Sequence, residues 1–203
     1  MKTDTIQTRN RITTCLIALL TFCLVLTGIF FIAPIEAEAA VGETFYENGI
    51  QYKILTEQEG NYTVEISNIN IDTWFYSDSR IIPSTVERKG TEYTVVGIGE
   101  SAFLNKSCYG ITITLPDSIK YIANNAFKGF TKGYVVMQEG VETIGDGAFE
   151  NSSAMSGEIV LPDSVTHIGD YAFYGNASLW SITTNATEIG SYAFAGVPHP
   201  CIR

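Results

Sequence analysis

Histidine is nearly absent from this sequence: His167 and His199 are the two among 203 residues. Chemistry that depends on imidazole bases, or on metal centres built from several imidazoles, therefore has almost nothing to work with. Cysteine is scarce as well. Of four, Cys15 and Cys23 lie in an apolar N-terminal run, which leaves Cys108 and Cys201. Those two could pair, but two cysteines so far apart do not make a disulfide framework. Basic residues are few: 12 Lys and Arg against 22 Asp and Glu give a net charge of −10. Such a chain is repelled by phosphate backbones and by anionic lipid, which argues against nucleic-acid binding and simple electrostatic membrane adhesion. Helix formers are sparse in the second half, where Gly, Thr, Ile, Val, Tyr and Phe dominate and favour strands and turns.

Long apolar runs are confined to the N-terminus. Lys2, Arg9 and Arg11 precede an unbroken run from Cys15 to Ala33, Pro34 ends it, and Ala37-Glu38-Ala39 supplies small residues at the two positions a signal peptidase reads. This is the layout of a secretory signal over residues 1–39, with cleavage after Ala39. The run is also close to the ~20 residues that span a bilayer, so an uncleaved signal anchor is the alternative. Phe22 before Cys23 is too large for a lipoprotein signal. Both routes place the remainder outside the cytoplasm, and a membrane is involved only through this segment if it is retained.

What the chain does have is a repeat. Ile98-Gly99-Glu100-Ser101-Ala102-Phe103 recurs with variations at Ile122, Ile144, Ile168 and Ile189, each followed by Ala-Phe at the same offset. Phe103, Phe127, Phe149, Phe173 and Phe194 stand 24, 22, 24 and 21 residues apart. Nine and seven residues before the Ile come Ile113 and Leu115, Val135 and Met137, then Ile159 and Leu161. Pro116-Asp117-Ser118 and Pro162-Asp163-Ser164 follow two of these pairs. Each unit reads as a short alternating strand, a turn, a second extended piece and a bend ending at Ala-Phe. One unit cannot bury its own apolar face, but stacked units place Ile on Ile and Phe on Phe in columns. Each such buried side chain contributes roughly 1.5–3 kcal/mol, so the columns are expected to be a main source of stability.

The unit Ile-x-Leu-Pro-Asp-Ser-Val-x-x-Ile-Gly-Asp-x-Ala-Phe of residues 159–173 resembles the BspA-type leucine-rich repeat. The resemblance covers about residues 80–203. It implies a β-dominated leucine-rich-repeat solenoid of about five units of 21–24 residues. It also implies an extracellular protein-binding role, with no catalytic residues and no cofactor to carry over. Residues 40–79 contain no repeat; their alternating pattern, with turns at Asn48-Gly49 and Glu59-Gly60-Asn61, predicts a small N-terminal β cap. Glu87 to Tyr93 interrupts the first unit and is expected to form a hairpin. Pro198 to Arg203 looks thin for a cap, so the protein is expected either to self-associate through that end or to be part of a longer gene product.

Candidate sites are few. His167 occupies a slot that holds Tyr121, Thr143 and Glu188 in other units, which suggests a solvent-facing position. His199 and Cys201 are two potential metal ligands without partners, more simply a loose C-terminal tail. Asp117 and Asp163 are expected to make turn hydrogen bonds; Asp146 and Asp170 recur after Ile-Gly, but the nonapeptide of calcium-binding solenoids is absent. Asn61, Asn105, Asn151, Asn176 and Asn185 begin Asn-x-Ser/Thr sequons, unmodified turn residues if the source is a bacterium and glycosylation sites only if it is a eukaryote. Trp74-Phe75-Tyr76 and Trp180 are expected to pack in the core.

The best candidate is a surface. Residues ten and eight before each Ile should point outward: Thr112, Tyr134 and Glu158 in one column, Thr114, Val136 and Val160 in the next. The expected function is a secreted or cell-surface, adhesin-like module whose strand-lined face binds a host matrix, host-cell or microbial surface protein. The alternatives are a self-associating structural spacer, or the non-catalytic accessory module of an exported enzyme.

Overall fold

The computed structural model describes residues 41–70, 72 and 81–202. The expected signal or anchor at residues 1–39 lies outside them, as do residue 40, most of 71–79 and the Trp74-Phe75-Tyr76 cluster.

The N-terminal part is a meander of β1 (Thr44–Glu47), β2 (Ile50–Gln58) and β3 (Asn61–Ile69), paired antiparallel. Asn48 and Gly49 both take positive φ, 50° and 81°, the backbone that lets a two-residue turn match strand twist. The expected hairpin in the first unit is present as β4 (Thr85–Arg88) and β5 (Thr91–Ile98), joined through Lys89 and Gly90, again at positive φ. β3 runs parallel beside β5, so the meander and the repeats share one sheet.

From β5 onward the units stack. Four two-residue pieces, β7 (Tyr121–Ile122), β9 (Thr143–Ile144), β11 (His167–Ile168) and β13 (Glu188–Ile189), continue that sheet in parallel. The register puts Ile98 on Ile122, Ile122 on Ile144, Ile144 on Ile168 and Ile168 on Ile189. Beside this ladder runs the phenylalanine column. Phe127 and Phe149 stack 5.1 Å apart at 5°, Phe149 and Phe173 5.2 Å apart at 6°, and Phe103 and Phe194 extend the stack at its two ends. Phe130 meets Phe127 edge-on at 88° and fills the space beside the first two rings.

A second set of strands lines the other side of each unit: β6 (Thr112–Thr114), β8 (Tyr134–Val136), β10 (Gly157–Val160), β12 (Leu179–Thr184) and β14 (His199–Ile202). β14 corrects the expectation of a loose tail, because residues 199–202 pair in parallel with Ser181 to Thr184. Cys108 and Cys201 do not pair; the first is a buried thiol and the second an exposed one.

Candidate binding surface

The alternation within the short strands decides what this face presents. Ile113 and Leu115 are fully buried and Val135 nearly so, while their neighbours turn outward. Thr112 and Glu158 are exposed and Thr114 is half-buried. Tyr134, Val136 and Val160 stand 51%, 41% and 62% exposed, three large apolar side chains close together on one face. All six expected surface residues thus lie on the solvent side of the strands.

They do not form one continuous sheet. β6 pairs with β8, and β10 with β12 and β14, but β8 and β10 do not pair. The bend of the third unit lies beside β8 instead. The third unit has ten residues from Phe149 to Ile159, where the second has eight from Phe127 to Val135. Ala154 in this bend stands opposite β8, and the Val135 N–H donates to the Ala154 carbonyl at 2.9 Å. Ala154 and Met155 are buried there, and Ser152 is held by Asn176, whose Oδ1 accepts the Ser152 N–H at 2.8 Å. Between the two strand groups a cleft of about 430 Å³ opens, lined mainly by Tyr134, Val136, Met137, Met155 and Val160.

Trp180 corrects a second expectation. A bulge between Gly157 and Glu158 shifts the pairing of β10 with β12, so that Leu179 is buried and Trp180 is 51% exposed. Its ring meets that of His199 edge-on, 5.7 Å between centroids. The face therefore carries an aromatic residue at the fourth unit that counting back from Ile189 places inside.

The bends are held by bonds between units. Asn124 Oδ1 accepts the Asp146 N–H, Asp146 Oδ1 accepts the Asp170 N–H, and Asp170 Oδ1 accepts the Ser191 N–H, at 2.9, 2.8 and 2.6 Å. These repeating acids serve as ladder acceptors, and among the described residues no group of three or more metal-ligating side chains converges. Asp163 likewise reaches the next unit: its Oδ1 accepts from Asn185 Nδ2 at 2.5 Å, instead of closing its own turn. His167 is exposed as expected, with Nδ1 2.9 Å from Glu188 Oε2. Burial pushes the Cys108 thiol up to about 11, with nearby Lys106 partly opposing the shift.

The regular columns match a known repeat. A family described as "BspA type Leucine rich repeat region" matches residues 94–199 in six copies, just over half of the chain. This chain belongs to that family.

The fold of this BspA-type chain is similar to that of the pneumococcal vaccine antigen PcpA, with a TM-score of 0.61 and 23% identity over 80% of this chain and 49% of that one. A leucine-rich repeat protein from Bacteroides ovatus matches with a TM-score of 0.61 and 27% identity, over 78% of this chain and 41% of that one. A leucine-rich repeat protein from Bacteroides capillosus matches with a TM-score of 0.52 and 24% identity, over 72% of this chain and 97% of that one. The BspA-type chain spans half or less of the length of the first two. No curated protein matches it.

Two features of the surface escape sequence reasoning. The break between β8 and β10 has no signature in bend length, since the first unit also has ten residues from Phe103 to Ile113 and its β6 pairs with β8. The outward turn of Trp180 depends on a one-residue bulge, and no residue type announces it.

Proposed function

We propose that this chain is a secreted or cell-surface module whose strand-lined face recognises an extracellular protein, in the manner of an adhesin. The observation that carries the reading is the exposed apolar set of Tyr134, Val136 and Val160 around a cleft of about 430 Å³. Large apolar side chains grouped around a cleft are the anchors that protein interfaces use. The repeat scaffold supports them without needing to move, so little ordering cost accompanies binding. The N-terminal secretory pattern and the family's occurrence among exported proteins support an extracellular setting. The role is one of recognition, with no catalytic step assigned.

The test is binding of the full chain to a panel of extracellular matrix proteins and to mucosal cells. A parallel sample carries Tyr134→Ala, Val136→Ser and Val160→Ser together, with folding checked by circular dichroism. Saturable binding that the folded triple variant loses supports the reading and its surface. Binding that survives the substitutions moves the site elsewhere. Absence of binding, accompanied by concentration-dependent self-association, replaces the adhesin reading with that of a structural spacer.

A further inference from the structure

The break in the strand-lined face leaves backbone groups without a strand beside them. On β10, the amides of Gly157 and Leu161 donate to the carbonyls of Ser178 and Thr183, toward the fourth unit. Alternation along a strand turns the N–H and C=O of Glu158 and Val160 the opposite way, toward β8. Among the described residues no strand pairs with β10 on that side. An open strand edge thus lies within the stack of repeats, separate from its ends, and it borders the apolar cleft.

This combination narrows the occupant. The cleft volume falls within the roughly 300–1,000 Å³ common to ligand sites. An apolar cavity alone accepts many shapes. A row of alternating donors and acceptors selects a chain that brings its own matching row, which is an extended polypeptide. Charge adds a further requirement. Glu158 is exposed on the same strand, on a protein of net charge −10, so a Lys or Arg close to the entering apolar residue is complementary.

We infer that β10 accepts an added strand. An extended segment of the partner hydrogen-bonds to the backbone of Glu158 and Val160, seats one apolar side chain in the cleft beside Tyr134 and Met155, and sets a basic residue against the Glu158 carboxylate. This rests on the binding role proposed for the same face and specifies its chemistry.

The test uses the full chain and an array of octapeptides built from Val, Ile, Tyr, Thr and Lys. A binding octapeptide is N-methylated at one backbone position at a time, which leaves the protein itself untouched. Methylation at alternate positions should weaken binding by about 5-fold or more, while the intervening positions change it by less than about 2-fold. Amide exchange at Glu158 and Val160 should slow by about 10-fold in the complex. Glu158→Gln should weaken lysine-containing octapeptides more than those without lysine. Failure of every octapeptide to bind overturns the inference. So does binding that is indifferent to backbone methylation and leaves exchange at Glu158 and Val160 unchanged. Matrix or cell binding that depends on Tyr134, Val136 and Val160 but leaves those two amides unprotected would keep the adhesin reading and remove strand addition. An octapeptide that behaves as expected while the matrix and cell panel gives nothing would do the reverse.

Discussion

Asp146 Oδ1 accepts the backbone N–H of Asp170, one repeat further on, at 2.8 Å. The same bond links Asn124 to Asp146 and Asp170 to Ser191, so the bends are joined by side-chain rungs in addition to the main-chain ladder. Asn124 occupies the same position as Asp146, which means the rung needs an oxygen acceptor and not a charge. Asp146→Ala should therefore cost about 1–2 kcal/mol, as loss of a capping acceptor does, while Asp146→Asn stays within about 0.5 kcal/mol. Urea unfolding of the two variants checks this; equal losses for both would mean that the charge itself matters.

Gly175 sits at φ +71°, and a Cβ built there would lie 2.1 Å from Asn151 Oδ1 in the preceding unit. Gly175→Ala should destabilise the protein by about 2–4 kcal/mol, from the left-handed backbone together with the clash. The double variant Gly175→Ala with Asn151→Gly removes the clash and should recover part of the loss, leaving about 1–2 kcal/mol. A double-mutant cycle with no coupling would contradict the packing of Asn151 on Gly175.

The residue before each Ala-Phe is left-handed in all five units: Ser101, Asn125, Gly147, Tyr171 and Tyr192 have φ between 56° and 58°. Only one of them is glycine. At Tyr192, substitution by Gly should give a protein about 1 kcal/mol more stable than substitution by Ala, reversing the ordinary preference for Ala. Comparing these two variants removes the common loss of the Tyr171–Tyr192 stack, whose rings lie 5.2 Å apart. Thermal unfolding at one pH gives the difference directly.

Cys108 supplies a pH dependence. Burial raises its thiol to about 11 from an ordinary value of 9.0, so the folded state holds the proton longer than the unfolded chain does. The unfolded chain binds fewer protons above pH 9, and stability falls as pH rises from about 9 toward 11. The loss across that interval is about 2–3 kcal/mol. Between pH 8 and 10, Cys108→Ala should lose less stability than the parent does. In the folded parent at pH 8, Cys201 should react with a thiol reagent much faster than Cys108.

Much of this was legible in the sequence because a solenoid repeats its physics. The Ile and Phe columns follow from a fixed offset of five residues between Ile and Phe in every unit, and the register places each on its counterpart. The outward position of Tyr134, Val136 and Val160 follows from strand alternation. The hairpin at residues 85–98 follows from polar residues and a Lys-Gly turn inserted between two alternating runs. What stayed hidden is what depends on comparing one unit with the next. Core packing at the last repeat is the expectation for Trp180, but the fourth unit has seven residues from Ile182 to Ile189 where the others have nine, and the register shift beside Trp180 turns it outward. The C-terminal strand was missed because Pro198-His199-Pro200 reads as loop; pairing with β12 outweighs that local preference. The left-handed column leaves no signature, since Ser, Asn, Gly and Tyr all occupy it.

The invariant interval from Ile to Phe also bears on how such a gene can change. Within that arc the isoleucine pairing, the Asn/Asp rungs and the ring stack are all in step, so deleting a single codon there would throw three ladders out of phase together. The bend after each Phe already differs in length between units, and it absorbs short insertions by adjusting only the strand-lined side. Duplication of one whole unit would leave every retained amide facing an equivalent acceptor. The reading frame is thus tolerant of growth in complete periods and of drift in one loop, and intolerant of small indels in the arc between them.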